Sequence, residues 1–92
     1  IIYVQVSEQV LWCAEYKRKE MLMKHYYFNN NTDVHGNHEV HTEDCAFIPS
    51  VSNRTYIGYY YDCSSAIKDA KIKYPYKSFD GCYYCCRECH KG

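Results

Sequence analysis

The sequence predicts a small, disulfide-rich, mainly β fold, with short antiparallel strands in one or two small lobes tied by a C-terminal cysteine cluster. Three observations carry this. Seven cysteines in 92 residues approach the density of a disulfide scaffold. Four of them, Cys82, Cys85, Cys86 and Cys89, fall close together near the end, and Cys13, Cys45 and Cys63 are spread one per segment before them. Twelve tyrosines and several β-branched runs favour strands. A chain this short buries a modest fraction of its surface, so its core alone gives little margin. The expected division is an N-terminal β lobe over 1–44 and a cysteine-rich lobe over 45–92, in one compact unit.

Ile1-Ile2-Tyr3-Val4-Gln5-Val6 is a β-branched run and reads as a strand. Val10, Trp12, Ala14 and Tyr16 recur at period two, which also favours a strand. The charged run Lys17-Arg18-Lys19-Glu20 interrupts the pattern, and residues 21–28 resume it with apolar and aromatic side chains. A hairpin turning near 17–20 is expected. The competing reading is one helix over 7–25, with Glu20 and Lys24 as a helical pair. Asn29-Asn30-Asn31-Thr32-Asp33 has the composition of a turn, and 34–44 reads as a polar, histidine-rich loop. Cys45-Ala46-Phe47-Ile48 is short and apolar and ends at Pro49. The strongest strand signal is Thr55-Tyr56-Ile57-Gly58-Tyr59-Tyr60-Tyr61-Asp62-Cys63, in which Gly58 points to a bulge or a close backbone approach. Ser64-Ser65 is suited to cap a short helix through Lys71. Residues 72–76 are expected to be extended around Pro75, and Phe79-Asp80-Gly81 to turn the chain into the cysteine cluster.

Lysine and arginine together number 11, as do aspartate and glutamate, so the formal charge is zero. Without a basic excess, nucleic acid is not an expected partner. The neutral charge and the lack of a long apolar run argue against membrane insertion. A disulfide framework holds only in an oxidising compartment, which places the protein in the secreted, extracellular class. The chain opens on Ile1-Ile2 rather than Met and reads as a mature form. Asn30-Asn31-Thr32 and Asn53-Arg54-Thr55 are glycosylation sequons in expected loops, with Asn30 and Asn53 as the acceptors. There is no nucleophile with a positioned base and no phosphate loop, so neither an enzyme nor a cofactor is expected.

The disulfide framework draws on Cys13, Cys45, Cys63, Cys82, Cys85, Cys86 and Cys89. Cys85 and Cys86 are adjacent and should rarely pair with each other. If each upstream cysteine takes a tail partner, three bridges form, each worth about 3–4 kcal/mol in the chain-entropy model. One thiol is then left buried, capped or free to dimerise, so the protein is a monomer or a dimer through the odd cysteine. The pairing itself is left open. Cys82-x-x-Cys85 and Cys86-x-x-Cys89 have zinc-ligand spacing but are contiguous, whereas the usual site takes two pairs from separated hairpins. Disulfides are therefore preferred there. A second metal candidate is the set His35, His38 and His41, followed by Glu43 and Asp44. It converges only if the loop curls, since positions 35 and 38 on a straight strand face opposite ways. The same histidines, near acidic residues, also suit a pH-sensitive loop.

What remains is a binding module. Tyrosine offers large contact area at low entropic cost. The partner-binding candidates are Tyr56, Tyr59, Tyr60, Tyr61, Tyr26, Tyr27 and Phe28. In a regular strand Tyr59 and Tyr61 share one face and Tyr60 takes the other, so one set belongs to the core and the other to contact.

The tail, Gly81 followed by Cys85-Cys86-Arg87-Glu88-Cys89 and preceded by Tyr74-Pro75, resembles the closing motif of von Willebrand factor type C modules. Single-domain versions are secreted by arthropods, and tick salivary complement inhibitors of the CirpT type are among them. The resemblance covers about residues 45–90, with Cys45 and Cys63 as earlier framework cysteines. It departs at Arg87, where proline is usual, and in lacking the internal Cys-x-x-Cys-x-Cys. Cys82 and region 1–44 with Cys13 fall outside the pattern. The resemblance implies a salivary inhibitor that binds a host extracellular protein, complement component C5 foremost, with chemokines or proteases as alternative targets. A metal-binding secreted protein using the His35, His38 and His41 loop is the alternative of another class.

Overall fold

The computed structural model describes residues 22–92, and the expected strands and hairpin arm before them lie outside the described residues. Four strands form one sheet: β1 (Lys24–Thr32), β2 (Asn37–Thr42), β3 (Arg54–Tyr60) and β4 (Ser78–Gly81). One helix, α1 (Cys63–Lys73), connects β3 to β4. The fold is therefore small and mainly β, with the cysteine cluster in its C-terminal part, as the composition implies. The strand order is β3-β1-β2-β4, with β1 antiparallel to both of its neighbours and β2 parallel to β4. Residues on both sides of the expected 44/45 boundary thus share a single sheet.

β1 alternates as the pleat requires: Tyr26 and Phe28 are buried, and His25 and Tyr27 are partly open. The asparagine run does not end the strand. Asn29 Oδ1 accepts from the Asn31 amide at 2.9 Å, and the register shifts between Phe28 and Thr32. The local side-chain bond that favours turns is satisfied here by a bulge within the ladder. The reversal comes later, at 33–36, where Asp33 Oδ1 accepts from the amides of His35 (2.8 Å) and Asn37 (3.0 Å) and Gly36 takes φ 79°. Those amides hold the Asp33 carboxyl below the usual carboxylate range.

β2 corrects the expectation of a polar loop. His38, Val40 and Thr42 are buried in it, and a ladder on both sides satisfies its backbone. Gly58 in β3 carries the expected bulge, seen as a register shift opposite Tyr26/Tyr27. Its φ of 156° suits glycine, and a Cβ there would come within 2.6 Å of the Tyr60 hydroxyl oxygen.

α1 begins one residue earlier than Ser64 and is capped by Asp62, whose carboxylate accepts from the Ser65 amide at 2.8 Å. It runs through Lys73. Tyr74, held out of the helical region by Pro75, takes φ −130° and ψ 69° and ends it. Small Ala66 and Ala70 lie four residues apart on the buried stripe with Cys63, which lets the helix approach the sheet closely. They pack in one cluster with Tyr26, Phe28, Val40, Ile57, Phe79 and Cys86. Phe28 sits at its centre, with edge contacts to Tyr74 and Phe79, both at 5.2 Å between ring centroids.

Phe79, Asp80 and Gly81 form strand β4 rather than the expected turn, because β2 offers them a parallel partner. The ladder continues with the Cys82 amide donating to Val40 O at 3.0 Å. The tail then folds back: Asp80 Oδ1 accepts from the Lys91 amide at 2.7 Å, and Cys89 is bridged to Cys63 at the start of α1. Gly81 permits this return, since a Cβ there would press on the Cys86 carbonyl and on Cys89.

Candidate functional site

The strands carry aromatic side chains on the sheet surface away from the core. The bulge at Gly58 resets the alternation of β3, so Ile57 and Tyr60 face the core and Tyr56 and Tyr59, three apart, both lie exposed. His25 on β1 joins them: its Nδ1 is 2.8 Å from the Tyr56 hydroxyl, and its ring lies 4.6 Å from that of Tyr59. Tyr27 packs 5.3 Å from Tyr56, and the Arg54 guanidinium stands over the Tyr27 ring at 4.6 Å. The result is a continuous patch of three tyrosines, an imidazole and a cation. Tyr61, just beyond β3, is also about half exposed.

The other expected contact residues are interior. Tyr26 and Phe28 are buried in the core. Tyr60 is half-buried, and its hydroxyl donates to Asp69 on α1. Burial, reinforced by Asp69, pushes the Tyr60 hydroxyl up to about 12. Tyr59 and Tyr61 are both exposed while Tyr60 packs against the core, and the bulge at Gly58 adds Tyr56 to the exposed side, because it puts one extra residue between Tyr56 and Tyr59.

The three histidines of the expected metal loop are separated. His35 is exposed at the hairpin turn. His38 is buried between Phe28 and Phe79, and its Nδ1 donates to Asn29 O at 2.7 Å. His41 instead faces three cysteines, Cys45, Cys82 and Cys85, and the four ligand atoms lie within 4.8 Å of one another. His41 and Cys45 come from β2 and the turn after it, and Cys82 and Cys85 from the turn after β4, so the parallel pair delivers both segments to one end. Cys82-x-x-Cys85 and Cys86-x-x-Cys89 are contiguous in sequence, and Cys86 and Cys89 do not join Cys82 and Cys85 in this group. The matching pair here is His41-x-x-x-Cys45.

Of the seven cysteines, Cys63 and Cys89 form a bridge of the expected upstream-to-tail kind. Cys45, Cys82, Cys85 and Cys86 are thiols in this structure, and Cys13 lies outside the described residues. Cys86 is a core side chain. Burial pushes the Cys82 thiol up to about 12. The hydrogen bond with Cys86, and then burial, push Cys85 up to about 11. Both sequon asparagines are exposed, but Asn30 sits in β1 rather than a loop, and its side chain accepts from the Thr55 hydroxyl. Among the described residues no helix is long and apolar enough to cross a membrane.

Comparison with known protein families, characterised proteins and solved structures found no match to this chain.

Proposed function

We propose that the protein is a secreted, non-enzymatic binding module that blocks a host extracellular protein through the outer face of β1 and β3. The observation that carries this reading is the exposed patch of Tyr56, Tyr59 and Tyr27 with His25 and Arg54. Tyrosine and arginine are the side chains that dominate contact energies at protein interfaces. The patch is also preorganised, since its rings already stack and bond with one another, so little freedom is lost on docking. A core of interior aromatics behind it leaves the outer set free of a structural duty.

The resemblance of the closing cysteine motif to von Willebrand factor type C modules of arthropod saliva makes a complement component the leading partner, C5 first. Chemokines and proteases are the next targets in order. The test is surface binding of C5 to the oxidised protein and to Tyr56→Ala and Tyr59→Ala variants. Each variant is expected to weaken binding by about 30-fold, the effect of losing roughly 2 kcal/mol at an interface centre, with an unchanged melting temperature. Tyr26→Ala is the contrasting control: it opens the core and lowers stability by about 3–5 kcal/mol. Absence of C5 binding would remove complement C5 as the target. Unaltered binding by both outer-face variants would remove this face as the interface.

A further inference from the structure

The carboxyl ends of the parallel strands β2 and β4 bring together three sulfurs and one imidazole from two separated turns. We propose that His41, Cys45, Cys82 and Cys85 bind one zinc-class divalent cation in a closed, four-coordinate Cys3His site.

The spacing fits. Zinc–sulfur distances of about 2.3 Å and zinc–nitrogen distances of about 2.0–2.1 Å give a tetrahedron with edges of about 3.4–3.8 Å. Cys45 Sγ and Cys82 Sγ are 3.9 Å apart, and no pair among the four exceeds 4.8 Å. Closing the set on an ion therefore needs movements of about 1 Å or less. Three thiolates with one imidazole select a soft or borderline ion such as zinc over calcium or magnesium.

His41 supplies the independent observation. Its side chain is 2 % exposed, and neither ring nitrogen has a hydrogen-bond partner among the described residues. A buried polar ring left without partners costs free energy, and a metal bond removes that cost. A disulfide between Cys45 and Cys82 would use two of the sulfurs and leave His41 and Cys85 as they are. Glu39 Oε1, 3.6 Å from His41 Nε2, places a carboxylate beside the ring, the usual orienting partner of a metal-bound histidine.

Backbone amides hold two of the sulfurs in place. The Thr42 amide donates to Cys85 Sγ at 3.4 Å, and the Phe47 amide to Cys45 Sγ at 3.5 Å. Phe47 and Tyr84 stack at 4.3 Å, which pins the turn carrying Cys45 against the turn carrying Cys85. A surface depression lined by Lys24, Asp44, Phe47 and Tyr84 reaches Cys45 and Cys85 and gives an ion its entry. With four protein ligands the site is structural: it clamps the two turns rather than activating water.

The test is titration of the whole chain with Co2+ and then Zn2+, without oxygen and after chelation, with the Cys63–Cys89 bridge verified by mass. The expected result is binding that saturates at one Co2+ per chain. It carries the strong visible bands of four-coordinate cobalt and a thiolate charge-transfer band, all erased by Zn2+. His41→Cys is expected to keep the stoichiometry and shift the bands, and His35→Ala to change nothing. Cys82→Ser is expected to weaken binding by more than about 100-fold. Because that variant can fail to fold, the wild-type cobalt spectrum decides alone. Non-saturating binding, or a spectrum without thiolate charge transfer, overturns the proposal. So does isolation of the native protein free of zinc with Cys45 bridged to Cys82.

Discussion

Tyr60 shows how one side chain joins helix to sheet. Its hydroxyl donates to Asp69, Lys73 Nζ lies 3.4 Å from the same carboxylate, and Lys73 also donates to Ile57 O at 2.7 Å. Burial first, and Asp69 second, raise the Tyr60 hydroxyl from the ordinary 10.0 to about 12. Burial raises Tyr26 as well. In the unfolded chain both hydroxyls lose their protons near pH 10, so between 10 and 12 the folded form holds protons that the unfolded form has released. The stabilisation is complete below about pH 10 and is lost as pH rises towards 12. Chemical denaturation at stepped alkaline pH should show stability falling across that window. Tyr60→Phe should flatten part of the fall and cost about 1 kcal/mol at neutral pH for the lost hydrogen bond. The sequence offered the tyrosines as a set. It could not sort Tyr56 from Tyr60, because the sorting depends on one extra residue at Gly58 and on a helix that arrives from elsewhere in the chain.

The elements divide by how local their causes are. β3 was legible because aromatic and β-branched residues fill it, and α1 because a capping residue precedes it and a proline follows it. β2 and β4 were not legible. Their sequences, Asn37-His38-Glu39-Val40-His41-Thr42 and Ser78-Phe79-Asp80-Gly81, are polar or turn-like. β2 becomes a strand because β1 and β4 flank it, and β4 because β2 offers a parallel partner. The cap was read at Ser64-Ser65, at least two residues late, since it is Asp62. Asp62→Ala should therefore destabilise the fold by about 1 kcal/mol, where Ser64→Ala should change it little. Thermal melts of the two variants check this. Equal losses, or a larger loss from Ser64→Ala, would contradict the assignment of the cap.

At the scale of the whole molecule, the C-terminal cluster ties the far end of the chain to the start of α1 and to the end of β2. The Cys63–Cys89 bridge closes a span of 26 residues. The chain-entropy model gives such a loop about 3.5 kcal/mol, a large share of the stability of so small a unit. Replacing both cysteines by alanine should lower the unfolding free energy by about that amount, measured in denaturant. Cysteine spacing made one upstream-to-tail bridge legible, Cys63–Cys89, whereas Cys45, Cys82, Cys85 and Cys86 are thiols rather than members of the expected three-bridge set. The convergence of His41 with Cys45, Cys82 and Cys85 was not legible, because it requires the parallel pairing of two strands that the sequence does not announce. The outer tyrosine face was half legible: its residue types stood out, but its membership did not. The most direct test of the account is capture from plasma with two baits, the oxidised protein and its Tyr56→Ala/Tyr59→Ala double variant, matched for folding by circular dichroism. One protein should be strongly enriched by the first bait and lost with the second. Equal enrichment by both, or none by either, would contradict it.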